Sequence, residues 1–137
     1  MTTPLRLIFG GSNRNGHLRL SAFLSMAIFT VGPMLPWSFP WEVAAAGCFA
    51  QEWWASSDRD EEEKRKFGNG HVWWLPFGMV LKHRSIWSHG FIIGTIVRLV
   101  YGWLPLLIVL WLLSPWLLAA WCLGAIVNDC GHIALDW

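Results

Sequence analysis

Charge is scarce in this 137-residue chain: Asp, Glu, Lys and Arg make up 14% of it, against 55% hydrophobic residues. That balance excludes an ordinary soluble domain and puts the chain in the membrane class. The formal net charge is only +1, and no basic stripe with interleaved aromatics exists, which excludes a nucleic acid as partner. Cysteine is sparse and odd in number, with three residues and no CxxC pair. A disulfide framework and a thiolate metal site are thereby excluded, and Cys48, Cys122 and Cys130 read as small buried hydrophobes. No GxSxG, P-loop or Rossmann fingerprint is present, nor any internal repeat. The opening "MTTPLRLIFGGSNRNG" lacks an apolar stretch long enough for a signal peptide, so the first span is expected to act as its own insertion signal.

Tyrosine occurs once but tryptophan twelve times. The indoles fall mostly at the ends of apolar runs, where an amphipathic ring favours the headgroup layer. The runs predict an all-α integral membrane protein of about four helical segments in one domain, 1–137. Segments 18–35 and 42–55 form a first hairpin, broken by "PWSFPW" with Pro36 and Pro40. The second segment is too short to cross a hydrocarbon core alone and is expected to pack on the first through Ala44, Ala45, Ala46 and Gly47. Residues 56–82 read as a polar and interfacial loop, carrying the charge run "SSDRDEEEKRK" as a solvated stretch. Segments 86–113 and 116–136 form a second hairpin, turning at Ser114-Pro115 and with a kink expected at Pro105.

Both turns lie at one end of this arrangement, so residues far from them gather at the other. His17 stands just before the first helix and Glu52 near the end of the second. His89 and His132 lie roughly 37 and 27 Å from the second turn at an ideal helical rise, a difference that tilt and the Pro105 kink absorb. His17, Glu52, His83, His89, His132 and Asp136 therefore share one membrane face. Arg6, Arg14, Arg19, Lys64, Arg65, Lys66, Lys82 and Arg84 lie on that side and neither turn has a basic residue, so the positive-inside rule makes that face, with both termini, cytoplasmic.

His132 and Asp136 are spaced i,i+4. One helical face can then offer a metal an imidazole nitrogen and a carboxylate oxygen, or simply hold a hydrogen-bonded pair. Asn128 and Asp129 add polar groups at membrane depth, where they are costly unless paired or functional. Arg98 is expected to pair with Asp129 or Glu42, or with a lipid or partner carboxylate. His71, beside Trp73 and Trp74, reads as an ordinary interfacial residue.

The stretch "WWLPFGMVLKHRSIWSHGFIIGTIVRLVYG", with its HRSxxSHGxxxGTxxRxxY pattern at 83–101, and the terminal "GHIALDW" resemble a family of small bacterial, notably cyanobacterial, metal-binding membrane proteins. These are akin to membrane-bound metal-dependent hydrolases. The resemblance covers the last half of the chain well and the first half loosely, with "GHLRL" standing where the family has a Thr-His motif. It implies a divalent metal at His17, His83, His89, His132 and Asp136. Imidazole and carboxylate donors suit zinc, with manganese, iron or nickel compatible. The family's acidic Pro-Asp-x-Asp element is replaced here by "QEWW", leaving Glu52 as its one carboxylate unless Asp58 and Asp60 fold back.

Two functions follow as expectations. One is a metal site in the membrane, that of a degenerate hydrolase in its fullest form, with Glu52 as the general base that a metal-activated water requires. The other is a non-catalytic subunit of a larger membrane complex, a pigment-bearing one among them, in which the site has decayed or serves structure. Both place the chain in a lipid bilayer, a bacterial inner or thylakoid membrane or similar, and the second adds other membrane subunits as partners.

Overall fold

A computed structural model describes residues 4–9, 14–55, 73, 74, 76, 80 and 92–136. Among the described residues the fold is all-α. A six-residue helix α1 (Pro4–Phe9) precedes four long ones: α2 (Arg14–Val31), α3 (Trp41–Ala55), α4 (Ile93–Leu113) and α5 (Pro115–Asp136). The charged run, His71, His83 and His89 lie outside the described residues.

The first helix is displaced from its expected 18–35 span. It starts at Arg14, which puts His17 inside its first turn rather than ahead of it. Apolarity marks what a membrane tolerates, whereas a helix continues into polar residues wherever backbone hydrogen bonds continue. It also stops earlier, because Pro33 cannot donate to the ladder; the chain passes through a short 3-10 turn, Gly32–Met34, and leaves it extended at Leu35. The carbonyl of Pro40 then accepts from the amides of Val43 and Ala44 to start α3, with Glu42 in the first turn where the helix dipole favours an acid.

The second turn is tighter. Ser114 ends α4 in extended conformation, its amide donating to Leu110 O. Its Oγ accepts from the amide of Trp116 at 3.2 Å, so one residue closes α4 and caps α5, with Pro115 at the first helical position. Phe39 packs edge-on against both Trp41 and Trp116, with centroids 4.8 and 6.3 Å away, so the two turns meet at one end of the bundle.

Each hairpin is antiparallel, the first closed by hydrogen bonds and the second by an aromatic contact. Ser21 Oγ donates to Cys48 O at 3.1 Å and Ser25 Oγ to Ala45 O at 2.7 Å, joining α2 to α3. Trp103 meets Trp121 edge-on at 5.0 Å between α4 and α5. The two hairpins join through α3 and α5, which run parallel at the centre while α2 and α4 flank them. Small residues permit that approach. A Cβ at Gly124 would lie 1.9 Å from Ala44 O, and one at Gly47 2.6 Å from Trp121 O. Ala44, Cys48, Ala120 and Ala125 complete the seam, all buried.

The parallel seam positions the site. Running from Ala44 beside Gly124 toward Glu52 beside Asn128, it carries the last turns of α3 and α5 to the end remote from the aromatic turns. Both α4 and α5 are long and apolar enough to cross a membrane, being roughly 30 Å in length against a hydrocarbon core of about 30 Å. The outer face of α4 exposes Ile96, Val100, Leu104, Ile108 and Leu112.

Candidate metal centre

Three helices supply the cluster at that end. In α2, His17 is held in the first turn; in α3, Glu52 lies one turn before the C-terminus; in α5, Asn128, His132 and Asp136 recur at i,i+4 and share one face. The two imidazoles stack, with centroids 3.7 Å apart and planes 13° from parallel. Both Nε2 atoms turn toward one carboxylate: His17 Nε2 is 3.2 Å from Asp136 Oδ1, and His132 Nε2 is 3.3 Å from Asp136 Oδ2. One donor atom from each of His17, His132 and Asp136 falls within 4.8 Å of the others.

Glu52 sits behind this group. Its Oε2 is 3.2 Å from His132 Nδ1 and accepts from Asn128 Nδ2 at 3.2 Å. A carboxylate oxygen thus stands at each ring nitrogen of His132, Glu52 at Nδ1 and Asp136 at Nε2; with the Nδ1 hydrogen given to Glu52, the Nε2 lone pair is the one a cation could use. Burial works against ionisation of Glu52, but the hydrogen bonds from His132 and Asn128 outweigh it and hold its carboxyl below the usual glutamate value. His17, His132 and Glu52 are all buried, whereas the Asp136 side chain keeps 29% of its surface exposed. The cluster therefore opens on the Asp136 side.

A second polar network lies beside it, built on Gln51, one residue before Glu52 in α3, and Asp129, one residue after Asn128 in α5. Arg98 of α4 reaches Asp129 through Nη2 at 2.7 Å, both side chains only 1% exposed. Gln51 Nε2 donates to both Asp129 oxygens at 3.4 Å, and Trp103 Nε1 donates to Gln51 Oε1 at 3.0 Å. Of the partners expected for Arg98, the fold selects Asp129, since a charge pair inside the bundle forms only between residues that adjacent helices bring level.

Of the residues singled out in the sequence, His17, Glu52, His132 and Asp136 come together, while His83 and His89 are outside the described residues. Cys48 stays apart from this chemistry, because burial pushes its thiol up to about 12 and a protonated thiol is a poor metal donor. Sequence reasoning gave no role to Gln51, and it noted Asn128 only as a polar group at depth. For Asn128 the signal was there, since 128, 132 and 136 share one helical spacing. Gln51 had no such signal, because its partners come from α4 and α5.

The donor set itself, two imidazoles and a carboxylate with no thiolate, is one that zinc and related divalent ions accept. With bonds of about 2.0–2.1 Å, the edge of a tetrahedral zinc site is about 3.3 Å, the separation seen between each Nε2 and its Asp136 oxygen. A family model described as "Uncharacterized metal-binding protein (DUF2227)" matches residues 15–137, a span that includes every residue of this cluster and both hairpins. No curated protein and no solved structure matches the chain.

Proposed function

The chain belongs to this metal-binding family, and from that premise we propose that His17, His132 and Asp136 hold one divalent cation, zinc by donor chemistry, at one face of a membrane-embedded helical bundle. The observation that carries the reading is the convergence of both Nε2 atoms on the two oxygens of Asp136 at 3.2 and 3.3 Å. Glu52 acts here as the acceptor that orients His132, the usual companion of a metal-binding imidazole. His83 or His89 supplies a further donor, or the position stays open. In the membrane, α4 and α5 are the spans, and the excess of Lys and Arg on the site side makes that face cytoplasmic.

When bound, the cation supplies Lewis acidity and lowers the pKa of water. The chain's own residues fix its place: the imidazoles exclude water from within, and the part-exposed Asp136 faces the outside. Glu52 is engaged by His132 and Asn128, so among the described residues the carboxylate expected as general base is committed to orienting an imidazole. That favours binding of the ion over turnover of a phosphoester or lipid substrate. The same observation supports a second reading, a non-catalytic subunit of a larger membrane assembly in which the ion ties α2 to α5.

Elemental analysis of the detergent-purified protein tests the first proposal. We expect one equivalent of divalent metal in the wild type and background levels in His132→Ala and Asp136→Ala; a metal-free wild type after zinc supplementation sinks it. Co-purifying subunits in a mild detergent would support the second reading, and a lone stable protomer would count against it.

A further inference from the structure

Away from the metal centre, α2 and α3 enclose a groove of about 390 Å³ on the outer face of the first hairpin, in the lower part of the range of ligand pockets, roughly 300–1,000 Å³. Ala22, Ser25, Ala45 and Ala46 make its floor, and the exposed side chains of Met26, Phe29 and Phe49 its walls. Ser25 spends its hydroxyl on Ala45 O at 2.7 Å. That bond also sets the register, so Phe29 stands roughly level with Glu42, and Ala22 with Phe49. The groove is therefore apolar along roughly 10 Å of α3 at the helical rise.

One end differs. Glu42 lines the groove at the turn end, and its side chain pairs with nothing among the described residues. The helix dipole accounts for an acid in this turn, but not for its place on the rim of an apolar groove. The described basic side chains stand elsewhere: Arg14 and Arg19 in the first two turns of α2, at the opposite end, and Arg98 on Asp129. The turn end also carries the exposed indoles of Trp37 and Trp116, rings that settle in the headgroup layer. In a bilayer the Glu42 carboxylate thus lies among headgroups, and the groove descends from it into hydrocarbon.

That order of environments is the order along a lipid, a charged head followed by an apolar chain. Charge decides between occupants. A second copy inserted in the same orientation, related by a twofold axis, would bring Glu42 toward Glu42 with no cation between them. An anionic headgroup would be repelled as well. A primary ammonium complements the carboxylate both by charge and by its N–H donors. We propose that the α2–α3 groove binds a phospholipid with a primary ammonium headgroup, the ammonium on Glu42 and one acyl chain laid along Ser25 and Ala46. This rests on the membrane placement proposed above and not on the metal.

The test uses the full chain in detergent, with phosphatidylethanolamine and phosphatidylglycerol of identical acyl chains as probes and native mass spectrometry as the readout. Ala46 is an exposed part of the groove floor, so Ala46→Leu fills the groove without entering the α3–α5 seam; Ala22→Leu serves if that variant does not fold. Wild type should retain the ethanolamine lipid about two- to fivefold over the glycerol lipid, the range of one solvent-accessible ion pair. Glu42→Gln is expected to lose that preference, and Ala46→Leu to lose one bound lipid. Lipid held elsewhere on the chain cancels in these comparisons. Equal retention of the two lipids by wild type overturns the proposal, as does a preference that survives Glu42→Gln or an unchanged lipid count in the filled groove. A wild-type dimer, or a co-purifying protein, that Ala46→Leu releases gives the groove to another occupant and overturns it too. Carbonate extraction separates the two readings: wild-type protein released from membranes takes the membrane placement down with this proposal, whereas membrane-retained protein without the preference refutes the groove alone.

Discussion

His17 and His132 stack ring on ring, 3.7 Å between centroids, although one opens the first long helix and the other closes the last. Their Nε2 atoms meet opposite oxygens of Asp136. Removing either ring leaves two donors where three converged. His17→Ala is therefore expected to lose bound metal as His132→Ala does, and elemental analysis of the two purified variants checks the equivalence. Retention of a full equivalent in His17→Ala would move the site away from α2.

Glu52 stands 3.2 Å from Nδ1 of His132, and its proposed part is to orient that ring. Glu52→Gln keeps an acceptor near Nδ1 but removes the charge, and the expected result is a fall of about 10–100-fold in zinc affinity with the helical circular dichroism unchanged. Chelator competition is the measurement, and unchanged affinity would restore Glu52 to some other role.

The Arg98–Asp129 pair is buried on both sides. Breaking it by one substitution leaves an uncompensated charge in the bundle, so Arg98→Ala or Asp129→Ala should cost about 3–5 kcal/mol, read as a lowered unfolding midpoint in detergent. A loss below about 1 kcal/mol, the range of an exposed pair, would show that the pair is not desolvated.

Gly124 is the closest approach of the two hairpins. A methyl there would lie 1.9 Å from Ala44 O, a backbone atom that cannot rotate away. Gly124→Ala is expected to cost at least the roughly 1–3 kcal/mol of an overpacked core, and Gly124→Leu to separate α3 from α5. Since Glu52 and His132 face each other only across this seam, metal binding should fall with thermal stability. A Leu variant with intact metal content would contradict the packing.

Leu104 lies midway along α4 with an exposed side chain. If α4 crosses a bilayer, Leu104→Arg puts a charge near its centre at a cost of about 2.5–3.5 kcal/mol on insertion scales. Carbonate extraction should then move a fraction of the variant from membrane to supernatant. Equal partitioning of variant and wild type would argue against that face meeting lipid.

Much of this organisation was legible along the chain because helices convert residue number into distance. The proline-marked breaks located both turns, and counting from them put His17, Glu52, His132 and Asp136 at one end before any packing was known. The limits of α2 were less legible, as its polar first turn carries no hydrophobic signal; its start moved from Leu18 to Arg14 and brought His17 into the helix. Gln51 was illegible for a different reason. A buried amide has meaning only through its neighbours, and those stand on α4 and α5.

By itself, then, the sequence determined a helical, charge-poor chain with a cluster of imidazole and carboxylate at one end, because composition, proline positions and helical spacing are one-dimensional properties. Only the tertiary structure decided that α3 and α5 are the central parallel pair, that Arg98 takes Asp129 and leaves Glu52 to His132, and that two distant imidazoles stack over one aspartate. Those outcomes depend on which helix faces meet. That choice is made by the close approach that Gly47 and Gly124 permit and by the need of each buried charge for a partner.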